Sequence, residues 1–149
     1  MGEIVYLALG SNLGDREAHL ALARARLDAL PATRVLAASP VEETPPIGPA
    51  GQGPYLNQML RVETTLPAEA LLDACQAIEG EAGRDRAASP RWGARTLDVD
   101  VVLYGTRRIT TPRLLVPHPE LANRDFWQRE LAALDVDWSR AMRDATEAP

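Results

Sequence analysis

The sequence predicts an α+β fold with elements in the order β-α-β-β-α-β, from three observations. Residues 4–9, Ile-Val-Tyr-Leu-Ala-Leu, form a continuous apolar run closed by Gly10, as a strand buried on both faces does. Residues 16–30, and the stretch opened by Pro67, repeat apolar side chains at helical spacing. Residues 34–39, 55–64 and 97–104 read as further strands, bounded by Gly- and Pro-rich turns.

In chain order, Gly10-Ser11-Asn12-Leu13-Gly14-Asp15 is dense in turn and N-cap residues and leads from strand to helix. The first helix carries Leu20, Ala23, Leu27 and Leu30 on one face, with His19 exposed, and Pro31 closes it. Residues 44–54 hold four prolines and three glycines in eleven positions, which rules out both helix and central strand. Irregular segments of that length usually have a function. In the strand 55–64, Leu56, Leu60 and Val62 face one way and Tyr55, Asn57 and Met59 the other. Leu71, Cys75 and Ile78 share the core face of the second helix, and Gly83 stops it. A second loop, 84–94, feeds the strand 97–104. Ile109 and residues 114–116 read as short extended pieces, 116–119 as a stiff turn, 124–134 as a helix, and the end from about 144 as frayed. This order fits a ferredoxin-like antiparallel sheet with both helices on one face and two long loops, in one domain spanning 1–149.

Hydrophobic residues make up 46% and charged residues 25%, the profile of a soluble globular chain. Met1-Gly2-Glu3 runs straight into the first strand with no basic n-region, and no apolar run approaches the roughly 18 residues of a membrane span. Neither a targeting segment nor a membrane partner is expected. A single cysteine, Cys75, leaves no internal disulfide and points to a cytoplasmic setting. The net charge of −5 argues against nucleic-acid binding. All sixteen basic residues are arginine, which excludes the lysine-dependent P-loop and protein-kinase designs. Between 84 and 113 stand seven arginines against three acids, a locally positive stretch suited to bidentate phosphate contacts or to surface ion pairs.

Leu97-Asp98-Val99-Asp100-Val101-Val102-Leu103 is the strongest local feature. Strand alternation projects both aspartates from one face, roughly 6.7 Å apart. Two carboxylates so placed in an apolar strand repel one another, and divalent cations relieve that repulsion; hard oxygen donors suit Mg²⁺. The spacing alone leaves open a solvent-facing pair bonded to arginines. Arg84, Arg86, Arg91 and Arg95, in the loop that feeds the strand, move the balance towards a phosphate-bearing substrate. Trp92 is either a lid or a loop anchor.

Gly10-Ser11-Asn12-Leu13-Gly14, Thr44-Pro45-Pro46-Ile47-Gly48, Tyr55-Leu56-Asn57, Arg91-Trp92-Gly93-Ala94-Arg95-Thr96-Leu97-Asp98-Val99-Asp100 and Val116-Pro117-His118-Pro119 together resemble the 6-hydroxymethyl-7,8-dihydropterin pyrophosphokinase family in order and spacing, over about residues 3–126. The resemblance implies pyrophosphoryl transfer from ATP to the hydroxymethyl group of that pterin, with release of AMP, in folate biosynthesis. It implies Asp98 and Asp100 as ligands of two Mg²⁺ ions, one of them also on the pterin hydroxymethyl oxygen, and Arg84 and Arg95 as arginines that assist transfer. It places Gln76, Glu79, Arg86, Arg91, Trp92, Val101, Arg113, His118 and Arg124 around ATP. Tyr55 and Phe126 would sandwich the pterin, with Asn57, Thr44, Pro45, Pro46 and Ile47 around its polar edge; a flat heteroaromatic gains from stacking on both faces. A monomer is expected.

Three features depart from the family's pattern: a longer 86–91 loop with Pro90, Ala94 in place of proline, and Trp127-Gln128-Arg129-Glu130-Leu131 after Phe126. Without the resemblance, His118 reads as a structural loop residue and Cys75 as core. A non-catalytic binding module, or a phosphotransferase with another heterocyclic alcohol, would share much of this sequence. Tyr55, Asn57 and Phe126 are the residues that separate them.

Overall fold

The computed structural model describes residues 2–45, 53–83 and 96–147. Strand β1 (Glu3–Ser11) is followed by α1 (Arg16–Asp28), β2 (Thr33–Ala38), β3 (Glu42–Thr44), β4 (Tyr55–Thr64) and α2 (Ala68–Glu81). Then come β5 (Asp98–Tyr104), β6 (Arg107–Thr110), β7 (Leu115–Val116), α3 (Asp125–Ala133), α4 (Trp138–Asp144) and β8 (Thr146–Glu147). The fold is α+β. An antiparallel sheet runs in the order β2-β4-β1-β5, and β3 lies beside the first residues of β4.

The apolar run in β1 becomes an interior strand because both of its faces are covered. Val5, Leu7 and Leu9 face one core with Leu56, Leu60 and Val62 of β4, Val99 and Val101 of β5, and the inner faces of α1 and α2. Ala8, Met59, Val102 and Leu103 face a second core on the opposite side of the sheet, closed by Leu121, Trp127, Leu131 and Leu134. The division of β4 follows the expected alternation. In β5 a register shift against Tyr6 and Leu7 makes Val102 an extra residue. Val102 and Leu103 therefore both reach the second core, while Tyr104 returns to the first.

The local chemistry at the ends of α1 is also legible. The Asp15 carboxylate caps the helix by accepting from Ala18 N–H at 3.1 Å, and Gly14 takes φ +70°, a left-handed turn that glycine adopts without strain. The helix ends at Asp28, two residues before the expected stop.

Helix α4 and strand β3 have no counterpart in the sequence reading. Both are short, and their apolar residues are too few to show a period. The end of the chain is not frayed where expected: Ala145 is buried, and Thr146 and Glu147 pair in parallel with Arg107 and Arg108. Main-chain pairing and one small buried side chain leave little trace in hydropathy. Among the described residues, no helix is long and apolar enough to cross a membrane.

Candidate active site

The register of the sheet lines up one polar row across the second face. Asp98 of β5 lies opposite Gly10 of β1, Gly10 opposite Asn57 of β4, and Asn57 opposite Glu42 of β3. In the next row, Asp100 lies opposite Ala8 and Ala8 opposite Met59. Val99 and Val101 point into the α1/α2 core, so Asp98 and Asp100 project together from the other face, each half-buried. With strands about 4.8 Å apart, Asn57 stands roughly 10 Å from the aspartate edge, with Gly10 between them.

Gly10 keeps this floor open. A Cβ there would lie 3.3 Å from Asn57 Oδ1 and 3.5 Å from Tyr55 Cδ1. Tyr55, half-buried, shares the face of Asn57 and is directly opposite Thr44. The buried Asn57 side chain donates from Nδ2 to the Thr44 hydroxyl, which leaves its Oδ1 as the end beside Gly10. Phe126 rises on the same side from α3, half-buried against the second core. Pro45 is exposed at the end of β3.

The segment after β1 holds the surrounding chain in place. Ser11 is fully buried, and its hydroxyl donates to the Thr96 carbonyl, two residues before Asp98. Its only proton is then used, so His19 Nδ1, 3.2 Å away, must carry a hydrogen and donate to Ser11 Oγ. His19 was expected exposed; it is half-buried because this bond draws it under the turn. Asn12 Nδ2 donates to Gly53 O, and Arg16 Nη1 donates to Pro54 O at 2.9 Å, fixing the residues that lead into β4.

Residues 6–136 match the 7,8-dihydro-6-hydroxymethylpterin-pyrophosphokinase family. The chain belongs to this family. A 2-amino-4-hydroxy-6-hydroxymethyldihydropteridine pyrophosphokinase of Bacillus subtilis is 42% identical over 148 residues, covering 99% of this chain and 86% of that protein. The Pseudomonas aeruginosa protein of the same name is 44% identical over 133 residues, 89% of this chain and 81% of its own. The Haemophilus influenzae one is 41% identical over 121 residues, 81% and 74% respectively.

Among the described residues, several of the positions expected around ATP lie near β5 and α2. Glu79 of α2 is buried, and its Oε2 accepts from Val99 N–H at 2.9 Å, bracing the strand between the two aspartates. Val101 turns its side chain into the first core, and its backbone shares the outer strand edge with Val99. Arg113 is held on α2 by Glu69 at 2.8 Å and Asp73 at 2.6 Å, with Gln76 Oε1 at 3.4 Å. Its pKa is raised chiefly by the bond to Asp73.

His118 packs edge-on against Trp127, with ring centroids 4.9 Å apart. Its backbone N–H donates to the carbonyl of Val102, the bulged residue, and its Nδ1 accepts from Glu120 N–H at 3.1 Å. Burial, then the Arg124 charge, lower its pKa to about 4. The ring is neutral at physiological pH with its hydrogen on Nε2, a fixed donor. The Arg124 guanidinium lies 4.4 Å from the Trp127 centroid, and its Nε is buried without a hydrogen-bond partner among the described residues. Cys75 is core, as expected: burial first, then the Glu79 and Asp100 charges, push its thiol up to about 12.

Pro46, Ile47, Arg84, Arg86, Arg91, Trp92 and Arg95 lie outside the described residues. Of the remaining expected positions, the structure gathers Asp98, Asp100, Asn57, Tyr55, Thr44 and Phe126 on one face and places Gln76, Glu79 and Arg113 along α2. Sequence reasoning assigned no role to Glu42 or Glu130. Glu130 falls on the buried face of α3, and a glutamate at a core position of a helical period was the available signal.

Proposed function

We propose that the chain transfers the pyrophosphoryl group of ATP to the hydroxymethyl oxygen of 6-hydroxymethyl-7,8-dihydropterin and releases AMP, a step of folate biosynthesis. The observation that carries this reading is the row Asp98–Gly10–Asn57. It sets an acidic edge and an amide on one open floor, at a separation that a bicyclic heteroaromatic with a short alcohol arm can bridge. The sheet order β2-β4-β1-β5, with α1 and α2 on one face, supports a ferredoxin-like topology.

Asn57 Oδ1 accepts from the amino edge of the pterin while Nδ2 stays on Thr44, so the amide is held in one orientation. Tyr55 and Phe126 stack on the two ring faces and exclude water from them. This points the hydroxymethyl arm at β5. Its oxygen attacks the β-phosphorus, the bond from that phosphorus to the α-bridging oxygen breaks, and the alcohol proton leaves to solvent.

Asp98 and Asp100 would hold two Mg²⁺ ions. Among the described residues no group of three or more acidic, His or Cys side chains forms a closed metal cage. A pair of carboxylates completed by phosphate and water oxygens is what Mg²⁺ prefers. Bound there, the ions neutralise phosphate charge and acidify the alcohol. His118 Nε2–H and Arg124 donate to the nucleotide at fixed positions. Arg84, Arg86, Arg91, Arg95 and Arg113 are the further cations this reading assigns to the phosphates, and Trp92 is the aromatic residue it assigns to the nucleotide.

The test is product identity. Protein with Mg²⁺, ATP and the reduced pterin should release AMP and a pterin diphosphate, resolved by chromatography, and Asp98→Ala and Asp100→Ala should lose this activity. Release of ADP would exclude pyrophosphoryl transfer.

A further inference from the structure

Glu130 is 2% exposed, in the middle of α3, and neither of its carboxylate oxygens meets a hydrogen-bond donor among the described residues. Oε2 of Glu42, on β3, is buried in the same condition. The other oxygen of Glu42 is satisfied: Arg129 Nε donates to Oε1 at 3.0 Å. The two side chains are hydrogen-bond neighbours, so three acceptor oxygens lie together with no N–H or O–H donor among the described residues. Two ionised carboxylates so placed would be strongly repulsive. A single proton removes the conflict, since a protonated carboxyl donates to its ionised neighbour. No third acidic, His or Cys side chain joins them among the described residues, which favours a proton over a metal ion.

We propose that Glu42 and Glu130 share one proton, and that this carboxyl–carboxylate bond positions Phe126 over the pterin floor. The inference rests on the pterin reading of that floor. Glu130 lies one helical turn beyond Phe126 on the same side of α3. Glu42 stands directly opposite Asn57, two residues before Thr44, whose hydroxyl holds the Asn57 amide. The bond therefore ties the helix that carries one stacking wall to the strands that carry the other wall and the reading amide. Trp127 and Leu131 pack the helix against the second core, Arg129 ties its exposed side to Glu42, and Arg61 of β4 donates to the Leu134 carbonyl at its end. The carboxyl–carboxylate bond adds a directional tie on the buried side, between the second core and the pterin floor.

The electrostatics agree in direction. Burial first, then the bond and charge of Glu42, raise the Glu130 pKa to about 10, against a small opposing effect of Arg129. The bond to Glu130 is the largest influence holding Glu42 low, followed by burial, which opposes it, then Arg129 and the opposing charge of Asp125. Among the described residues, the other ionisable groups acting on the pair are Arg129 and Asp125, both from α3. Glu130 keeps its proton in the folded chain and loses it on unfolding at neutral pH. Its contribution to stability is complete below about 4.5 and is lost as pH rises towards about 10.

Two readouts on purified full chain test the proposal: the melting temperature against pH from 5 to 9.5 without ligands, and steady-state kinetics with Mg²⁺, ATP and the reduced pterin. Glu130→Gln donates an amide hydrogen to Glu42 at every pH. It should melt with a flatter alkaline decline than wild type and keep the pterin KM within about twofold. Glu130→Leu leaves Glu42 Oε2 without a donor and should raise the pterin KM about tenfold, with the KM for ATP and kcat little changed. Equal alkaline slopes for wild type and Glu130→Gln would overturn the shared proton. A lower melting temperature in Glu130→Leu with an unchanged pterin KM would overturn the positioning role. If wild type does not turn over the pterin, the pterin reading and the positioning role both fall, while the melting slopes still decide the proton.

Discussion

The two faces of the sheet are built from the same strands, yet one is closed mainly by hydrophobic contact, with Glu79 bonded to the Val99 backbone at its edge, and the other is left partly polar. On the first face, Val5, Leu7, Leu9, Leu60, Val62, Val99 and Val101 meet the apolar sides of α1 and α2. On the second, the same strands present Asp98, Asp100, Asn57 and Tyr55, and the helix that approaches them brings a buried glutamate with its aromatic residues. The first face carries the stability that lets the second keep costly groups. Each well-buried leucine contributes about 1.5–3 kcal/mol, whereas half-buried carboxylates on one strand, a glycine in a sheet and an uncharged glutamate in a core all cost stability.

Substitutions on the two faces should therefore fail in different ways. The largest effect belongs to Asp98→Ala, expected to lower kcat by at least about 10²–10³-fold with the cooperative melt retained; steady-state AMP release and calorimetry together check this. Leu7→Ala, on the closed face, should remove about 2–5 kcal/mol of stability in denaturant unfolding. Below the unfolding transition its pterin KM should stay near that of wild type. A drop in kcat as large as that of Asp98→Ala would erase the distinction between the faces.

Gly10→Ala brings a methyl group against Asn57 Oδ1 and the Tyr55 ring. It should raise the pterin KM about tenfold, since overpacking costs about 1–3 kcal/mol, while the KM for ATP changes less. The smallest effect is at His118. Its pKa is lowered from 6.5 to about 4. Between those values the unfolded chain binds the extra proton, so stability rises with pH there and is lost as pH falls through the window. His118→Gln should flatten this acid limb in a series of thermal melts, and a limb unchanged in slope would assign it to other groups.

The closed face was largely legible in the sequence because hydropathy reports period and burial together. The run at residues 4–9 and the spacing of Leu20, Ala23 and Leu27, and of Leu71, Cys75 and Ile78, were enough to place β1, α1 and α2. Asp98 and Asp100 were legible as a pair on one face by alternation alone. That Gly10 lies between Asp98 and Asn57 was not, because the row depends on pairing partners from three separated segments. The β5 bulge was hidden for a similar reason: one extra residue alters the register without altering composition. Ser11, His19 and Thr96 meet only after folding, and the Glu42–Glu130 contact joins residues 88 positions apart. Such contacts leave no local pattern.

The division of labour between the faces is tested most directly by a crystal structure of the full chain with Mg²⁺, a non-hydrolysable ATP analogue and the pterin. The pterin should lie over Gly10 between Tyr55 and Phe126, its amino edge on Asn57 and its hydroxymethyl arm towards metal ions held by Asp98 and Asp100. A pterin seated elsewhere, or metal ions bound away from both aspartates, would contradict it.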